Sequence, residues 1–216
     1  LEVGVRICSN PKIIPATQAH GFRSSALYSV FEAATAAGKL LAFNEDQMVD
    51  ILGLASTFAC GTVEGVRGWG GELLCQDPMG TRNGVWAALL VHAGVTGTET
   101  SLDGLGGFYH GFTGNRDWDF TSVTERLGEH FELTNIQSKG WPQKGYLQTP
   151  IWLSISMARE HALKPEEIQD VDLEVYEQET TYPSPAFPNP RATGVNATAL
   201  GVAAALVGHD YPQFGP

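Results

Sequence analysis

The chain has 216 residues, enough for one large domain or two small ones around a real core. Apolar residues make up 43% and charged residues 17%, a globular balance that argues against extended disorder. A net charge of -11 argues against non-specific binding to nucleic acid or to an anionic membrane surface, both of which need basic surface. Any anionic ligand must then be met by local Lys or Arg.

Leu1 to Arg6 reads as the tail of a helix entered midway, and the chain is expected to be part of a longer polypeptide. Ser9 to Gly21 carries Pro11 and Pro15 and reads as a loop. From Ala26 the set Leu27, Val30, Phe31, Ala34, Gly38, Leu41 keeps three-four spacing and predicts a helix to about Leu41. Asn44 with Gln47 forms a capping-box pattern for a second helix, whose inward face is Met48, Ile51, Leu52, Ala55, Phe58 and Ala59, closed by Gly61. The glycine-rich run from Gly61 to Gly80 reads as loop. A third helix is predicted over Arg82–Ala93 with Val85, Ala88, Leu89 and His92 inward.

Leu102 to Tyr109 is a turn-rich approach to a short aromatic helix, and Thr121 is placed to cap a helix over Val123–His130. Phe131 to Gln137 reads as a short strand, and Thr149-Pro150 as the opening of a helix to about Ala162. Leu163 to Ile168 turns the chain, and Val171, Leu173 and Val175 alternate as a half-buried strand. Thr181 to Pro190, with four prolines, is a loop, and Asn196–Val207 is a last helix. The expected fold is mainly α, with residues 1–130 in an all-helical domain and 131–216 in an α+β domain. One or two strands make no stable sheet, so further strands are expected from sequence beyond this chain.

The three cysteines, Cys8, Cys60 and Cys75, lack metal-ligand spacing and are expected as buried or half-buried thiols in a reducing, cytoplasmic compartment. Gly68–Gly71 and Gly104–Gly107 lack the strand-before, helix-after setting of nucleotide loops, and no Gly-x-Ser-x-Gly elbow is present. The six histidines include no pair at metal-ligand spacing, so no metal is expected; His20, in a loop before a helix, is the least ordinary of them. What remains is Arg23-Ser24-Ser25 at a helix start, Gln76-Asp77-Pro78 before another helix, and Lys139 beside Gly140-Trp141-Pro142. Helix starts and cationic side chains favour anions. Read locally, Asp77 is equally a turn cap, and Arg23 and Lys139 equally surface charges.

The run His20-Gly21-Phe22-Arg23-Ser24-Ser25-Ala26-Leu27-Tyr28 through Ala36-Ala37-Gly38-Lys39-Leu40-Leu41 resembles the MmgE/PrpD family. The resemblance continues through Met48–Ala59, Arg82–Leu90, Leu102-Asp103-Gly104, Gly107-Phe108-Tyr109, Lys139-Gly140-Trp141-Pro142 and Leu163–Ile168, in order. It covers essentially the whole chain, which looks like the central half of the family's length. It implies a helical domain with an α+β lid, an active site between them, no cofactor and a homodimer. The family handles a proton next to a carboxylate on small di- or tricarboxylates, as dehydratases, decarboxylases and epimerases.

Carried onto this chain, the family's first histidine position falls on Arg23 and its second on Asp77 or Gln76, while Leu73 stands at a usual lysine. The lysine before the aromatic-proline pair is kept as Lys139; Gln143, Lys144 and Gln148 replace the cysteine or histidine that often follows. An arginine stays charged near neutral pH, so Arg23 is expected to bind a substrate carboxylate, with Ser25 and His20 beside it. Asp77 and Lys139 are the expected catalytic groups. The expected function is a lyase on a small polycarboxylate; the alternatives are an epimerase or isomerase using the same proton abstraction, or a family member kept for its fold.

Overall fold

The computed structural model describes residues 1–8, 10–68, 70–175 and 198–208. The chain forms two compact units, Leu1–Glu64 with Glu72–Ile136, and Gly65–Gly71 with Gln137–Pro216. The regular elements among the described residues are helices joined by turns and loops, and the one β contact among those residues is an isolated antiparallel bridge between Phe22 and Thr62. None of their helices is long and apolar enough to cross a membrane. The Thr181–Pro190 loop, Asn196 and the segment after Gly208 lie outside the described residues.

The helices are α1 (Glu2–Ile7), α2 (Ile13–Ala19), α3 (Ser24–Leu40), α4 (Glu45–Phe58), α5 (Glu64–Gly68), α6 (Glu72–His92), α7 (Phe108–Thr113), α8 (Thr121–Thr124), α9 (Gln148–Glu160) and α10 (Thr198–Gly208). In the first unit α3 is central: Leu27, Val30, Phe31 and Ala34 are fully buried and pack with Ile51 and Ala55 of α4 and with Ala88 and Val91 of α6. The capping box at Asn44 is present as the sequence predicts, with Gln47 N donating to Asn44 Oδ1 at 2.9 Å and Asn44 N donating to Gln47 Oε1 at 3.1 Å. Phe108 of α7 closes the end of the core, edge-on to Phe31 at 4.9 Å.

The contact between α3 and α6 sets the architecture. A Cβ at Gly80 would collide with the Ser29 hydroxyl and come within 3.0 Å of Ala26 O, and one at Gly84 would collide with Val30 O and lie 2.7 Å from Ala34 N. Glycine at these two positions therefore permits backbone-to-backbone approach that any side chain would prevent. Gly80 meets Ala26 and Gly84 meets Val30, each 54 residues apart, so the two helices run side by side in the same direction. The same offset joins Arg23 to Asp77.

This packing corrects two sequence expectations. The Gly61–Gly80 run is not all loop: α6 starts at Glu72, because its glycine at position 80 serves helix contact and Pro78 is tolerated at an exposed turn. Nor is Val85, Ala88, Leu89, His92 the inward face; Val85, Leu89 and His92 are exposed, while Gly80, Gly84, Ala87, Ala88 and Val91 are buried. The small residues win the core side because they allow the closer approach. Ser9–Gly21 likewise contains α2, with Pro15 in its first turn, where no intrahelical N–H is needed.

Residues 121–137 differ for one shared reason. Buried Arg6 donates to the carbonyls of Val123 (3.2 Å), Glu125 (2.9 Å) and His130 (2.6 Å). Glu2 accepts from the backbone of Glu132 (3.2 Å) and Leu133 (2.9 Å) and pairs with Arg6 at 2.6 Å. Carbonyls that a helix over Val123–His130 would use are drawn to Arg6, so α8 stops at Thr124, and the predicted strand after it is a 3-10 turn over Glu132–Asn135. The cysteines also differ from expectation: Cys8 is half-buried, with its thiol pushed up to about 11 chiefly by burial, but Cys60 and Cys75 are exposed.

In the second unit Leu147, Ile151 and Ile155 of the α9 region pack on Ala205 of α10, and Ala158 packs with Val202 and Leu206. The helix expected to open with Thr149 as its cap and Pro150 as its first residue begins two residues earlier, at Gln148, so Pro150 sits third in it. Val171, Leu173 and Val175 form no strand; they are exposed, and no strand partner exists among the described residues. Val171 and Leu173 instead line an apolar groove of about 450 Å³ with Ile168, Val202 and Leu206. The described residues thus leave the expected α+β character of this part without a strand.

Glu32 is the one acidic side chain set into the buried side of α3. Its carboxyl carbon lies where a Cβ on Gly4 would come within 2.8 Å, so Gly4 lets α1 close over it. Burial pushes its pKa above the ordinary 4.5, and the charge of Asp77 reinforces this. A proton bound more tightly in the folded state stabilises the fold at low pH, and that contribution is lost as pH rises through the folded pKa. Glu32→Gln is therefore expected to melt higher than the parent at about pH 7, with the gap closing toward about pH 4. A gap that widens on acidification would contradict this. Gly84→Ala is expected to cost about 2 kcal/mol by overpacking, read as a lower urea midpoint; an unchanged midpoint would mean α3 and α6 are not held at backbone contact.

Candidate functional site

Arg23 is fixed before its side chain is considered. It is the N-cap residue of α3, its N–H donates to Gly61 O at 2.9 Å, and Val63 N donates to Gly21 O at 2.8 Å. The Gly21–Arg23 and Gly61–Val63 segments are thus stitched together around the Phe22–Thr62 bridge. From α6, Gln76 Nε2 donates to Thr62 O at 2.8 Å and ties the other helix to the same stitch.

The guanidinium then spans to Asp77 as a fork: Nη1 donates to Oδ1 at 2.9 Å and Nη2 to Oδ2 at 3.0 Å. Gln76 Oε1 accepts a long contact from Nη1 at 3.5 Å. The Arg23 side chain is 18% exposed and that of Asp77 45%. Two-point geometry makes this a directional pair, but its open side leaves it worth on the order of 1 kcal/mol. That is small enough for a ligand carboxylate to compete with Asp77 for the guanidinium.

Of the expected site residues, the structure joins Arg23 and Asp77. Ser25 is exposed in the first turn of α3, next to buried Ser24, whose hydroxyl is 3.1 Å from that of Thr17. His20 is exposed at the end of α2, with its ring against Gly114, where a Cβ would fall 2.5 Å from His20 Cε1. Gly114 has φ 68, in the left-handed region, so glycine is needed there on both counts. Among the described residues no hydrogen bond or ion pair ties His20 or Ser25 to the Arg23–Asp77 fork. Lys139 is exposed in the second unit. No group of three or more metal-ligating side chains occurs among the described residues.

Family pattern puts Arg23 and Asp77 in one expected site but does not pair them. The signal that joins them is the small-residue register Ala26/Gly80 and Val30/Gly84, which continues back one turn to Arg23/Asp77. Glu32 is not among the expected site residues, and its one signal in the sequence is that it is a lone acid in α3.

The family model for the MmgE/PrpD N-terminal domain matches residues 1–121. A cis-aconitate decarboxylase from Aspergillus terreus is 32% identical over 137 residues, covering 61% of this chain and 28% of the relative. A second cis-aconitate decarboxylase, from Aspergillus terreus strain NIH 2624 / FGSC A1156, is 31% identical over the same share of each chain. The chain spans just over a quarter of the length of these curated relatives. The matched stretch holds the α3–α6 pair and the Arg23–Asp77 fork, and on this match the chain belongs to the MmgE/PrpD family.

Proposed function

We propose that the protein is a lyase acting on a small di- or tricarboxylate by cofactor-free proton transfer. The observation that carries this is the Arg23–Asp77 fork: a fixed guanidinium that binds carboxylates in two-point geometry, held by an acid that becomes available as it lets go. A substrate carboxylate displaces Asp77 from Arg23. In a dehydration the freed Asp77 carboxylate takes the proton from the carbon next to a substrate carboxylate, the C–H electron pair becomes a C=C bond, and the C–O bond breaks, with the leaving hydroxide taking that proton from Asp77 to become water. In a decarboxylation no C–H bond breaks: the C–C bond to the lost carboxylate breaks to release CO2, and the electron pair left on carbon takes a proton from Asp77, which the freed carboxylate has first taken up from solvent water. Lys139 is assigned to this chemistry by the family pattern alone, and Ser25 and His20 are proposed as outer substrate contacts.

Kinship to cis-aconitate decarboxylases makes cis-aconitate the first substrate to try. The whole protein, expected as a cytoplasmic homodimer, is to be incubated with cis-aconitate, citrate, 2-methylcitrate and iminodisuccinate in deuterated water and followed by NMR. Product formation supports the lyase, and deuterium exchange with stereochemical scrambling would replace it with an epimerase. One observation favours a third reading, a family member without catalysis: Arg23 and Asp77 neutralise each other in the described structure. Neither product, exchange nor binding would establish that reading. For an active enzyme, Asp77→Asn is expected to lower kcat by about 100-fold while KM stays level or falls, because Arg23 loses its competitor. An unchanged kcat would remove Asp77 from the chemistry.

A further inference from the structure

Lys139 is carried on a stretch without regular backbone structure. Residues 137–144 lie in neither a helix nor a strand, and Gly140, next to the lysine, has open space where a side chain would be. Lys139 itself is exposed. A flexible side chain on such a loop serves chemistry only where the backbone beneath it is held, because small misplacements are costly in rate.

The hold comes from the first residue of α9. Side chains in a helix lean back toward its N-terminus, so the Gln148 amide faces the incoming chain. Its Oε1 accepts from Trp141 N at 3.0 Å, and its Nε2 donates to Trp141 O at 3.0 Å. One planar amide thus takes both backbone groups of a single residue, as a partner residue does in an antiparallel pair. Nε2 also donates more weakly to Gln143 O and Lys144 O, each at 3.4 Å. Backbone bonds close the same turn, from Gln143 N to Trp141 O at 2.7 Å and from Leu147 N to Lys144 O at 3.0 Å. Leu147 and Ile151 are buried against Ala205 of α10, so the amide rides on a packed helix. The chemistry of the side chain is specific: an amide has a donor and an acceptor in one plane, an ionised carboxylate has acceptors only, and leucine has neither.

The geometry points to Gln148 as a positioning residue: by gripping both backbone groups of Trp141 it fixes the chain that presents Lys139, two residues earlier, to the proposed reaction. The assignment rests on the lyase reading, in which Lys139 serves the chemistry, and it concerns the second unit alone. Gln148 acts through the loop and not on the substrate.

The test compares Gln148→Leu and Gln148→Glu with the parent, in the whole protein, by hydrogen exchange at the Trp141 amide and by turnover of cis-aconitate. Gln148→Leu is expected to speed the exchange by about tenfold or more and to lower kcat by about 30-fold, with KM changed by no more than about threefold. Gln148→Glu keeps the shape but loses the donor and sets a negative charge against three carbonyl oxygens, so at about pH 7 it is expected to fall at least as far. Protonation returns a donor to that carboxyl, and its kcat relative to the parent is expected to recover by about tenfold as pH falls from about 7 to about 5. A flat ratio across that range, or an unchanged kcat in Gln148→Leu while the parent turns over, sinks the inference and leaves the lyase reading standing. Loss of the fold in both variants makes Gln148 a structural residue and overturns the inference as well. A parent without turnover on any of the four anions overturns the two together.

Discussion

Backbone contact between α3 and α6 is the constraint on which the first unit depends. Gly80 and Gly84 bring the two helices close enough that their register is fixed at every turn, from Ala34 and Ala88 back to Ala26 and Gly80. The next step along that register is Arg23 and Asp77. An ion pair between residues so far apart in sequence is thereby located by packing rather than by its own attraction, which at this exposure is worth on the order of 1 kcal/mol. A weak pair in a rigid frame suits a site where a ligand takes one partner's place.

Charge balance gives this arrangement its chemical character. The chain is strongly acidic, so on the proposed reading a polycarboxylate approaches against the overall field and must be captured locally. With Arg23 bound to Asp77, such capture would cost the exchange of one carboxylate for another. The displaced acid is the proton acceptor of that proposal. Burial, and after it the charge of Asp77, also pushes the Glu32 carboxyl above its ordinary pKa in the same unit.

Much of this fold was legible in the sequence where one signal dominated. Regular three-four spacing gave α3, and the Asn44/Gln47 pattern gave the start of α4. It was not legible where a residue's usual meaning was overridden by tertiary contact. Gly80 signalled loop but serves helix packing, and the apolar residues Val85 and Leu89 look inward by composition but lose the core side to glycine and alanine. Arg6 and Glu2 reorganise residues 123–133 from more than a hundred positions away, which no local pattern encodes. Among the candidate site residues, the family resemblance singles out Arg23, Asp77 and Lys139 in the sequence; the fork between the first two is visible only in three-dimensional packing.

On the proposed reading Arg23 trades Asp77 for a substrate carboxylate. Side-chain 15N NMR of the arginine guanidinium groups, with Arg23 assigned by its Arg23→Lys variant, observes that trade directly. Titration with cis-aconitate should shift the Arg23 signals saturably in the parent protein, and at lower anion concentration in Asp77→Asn. Arg23 signals that stay in place while the anion binds elsewhere would contradict the account.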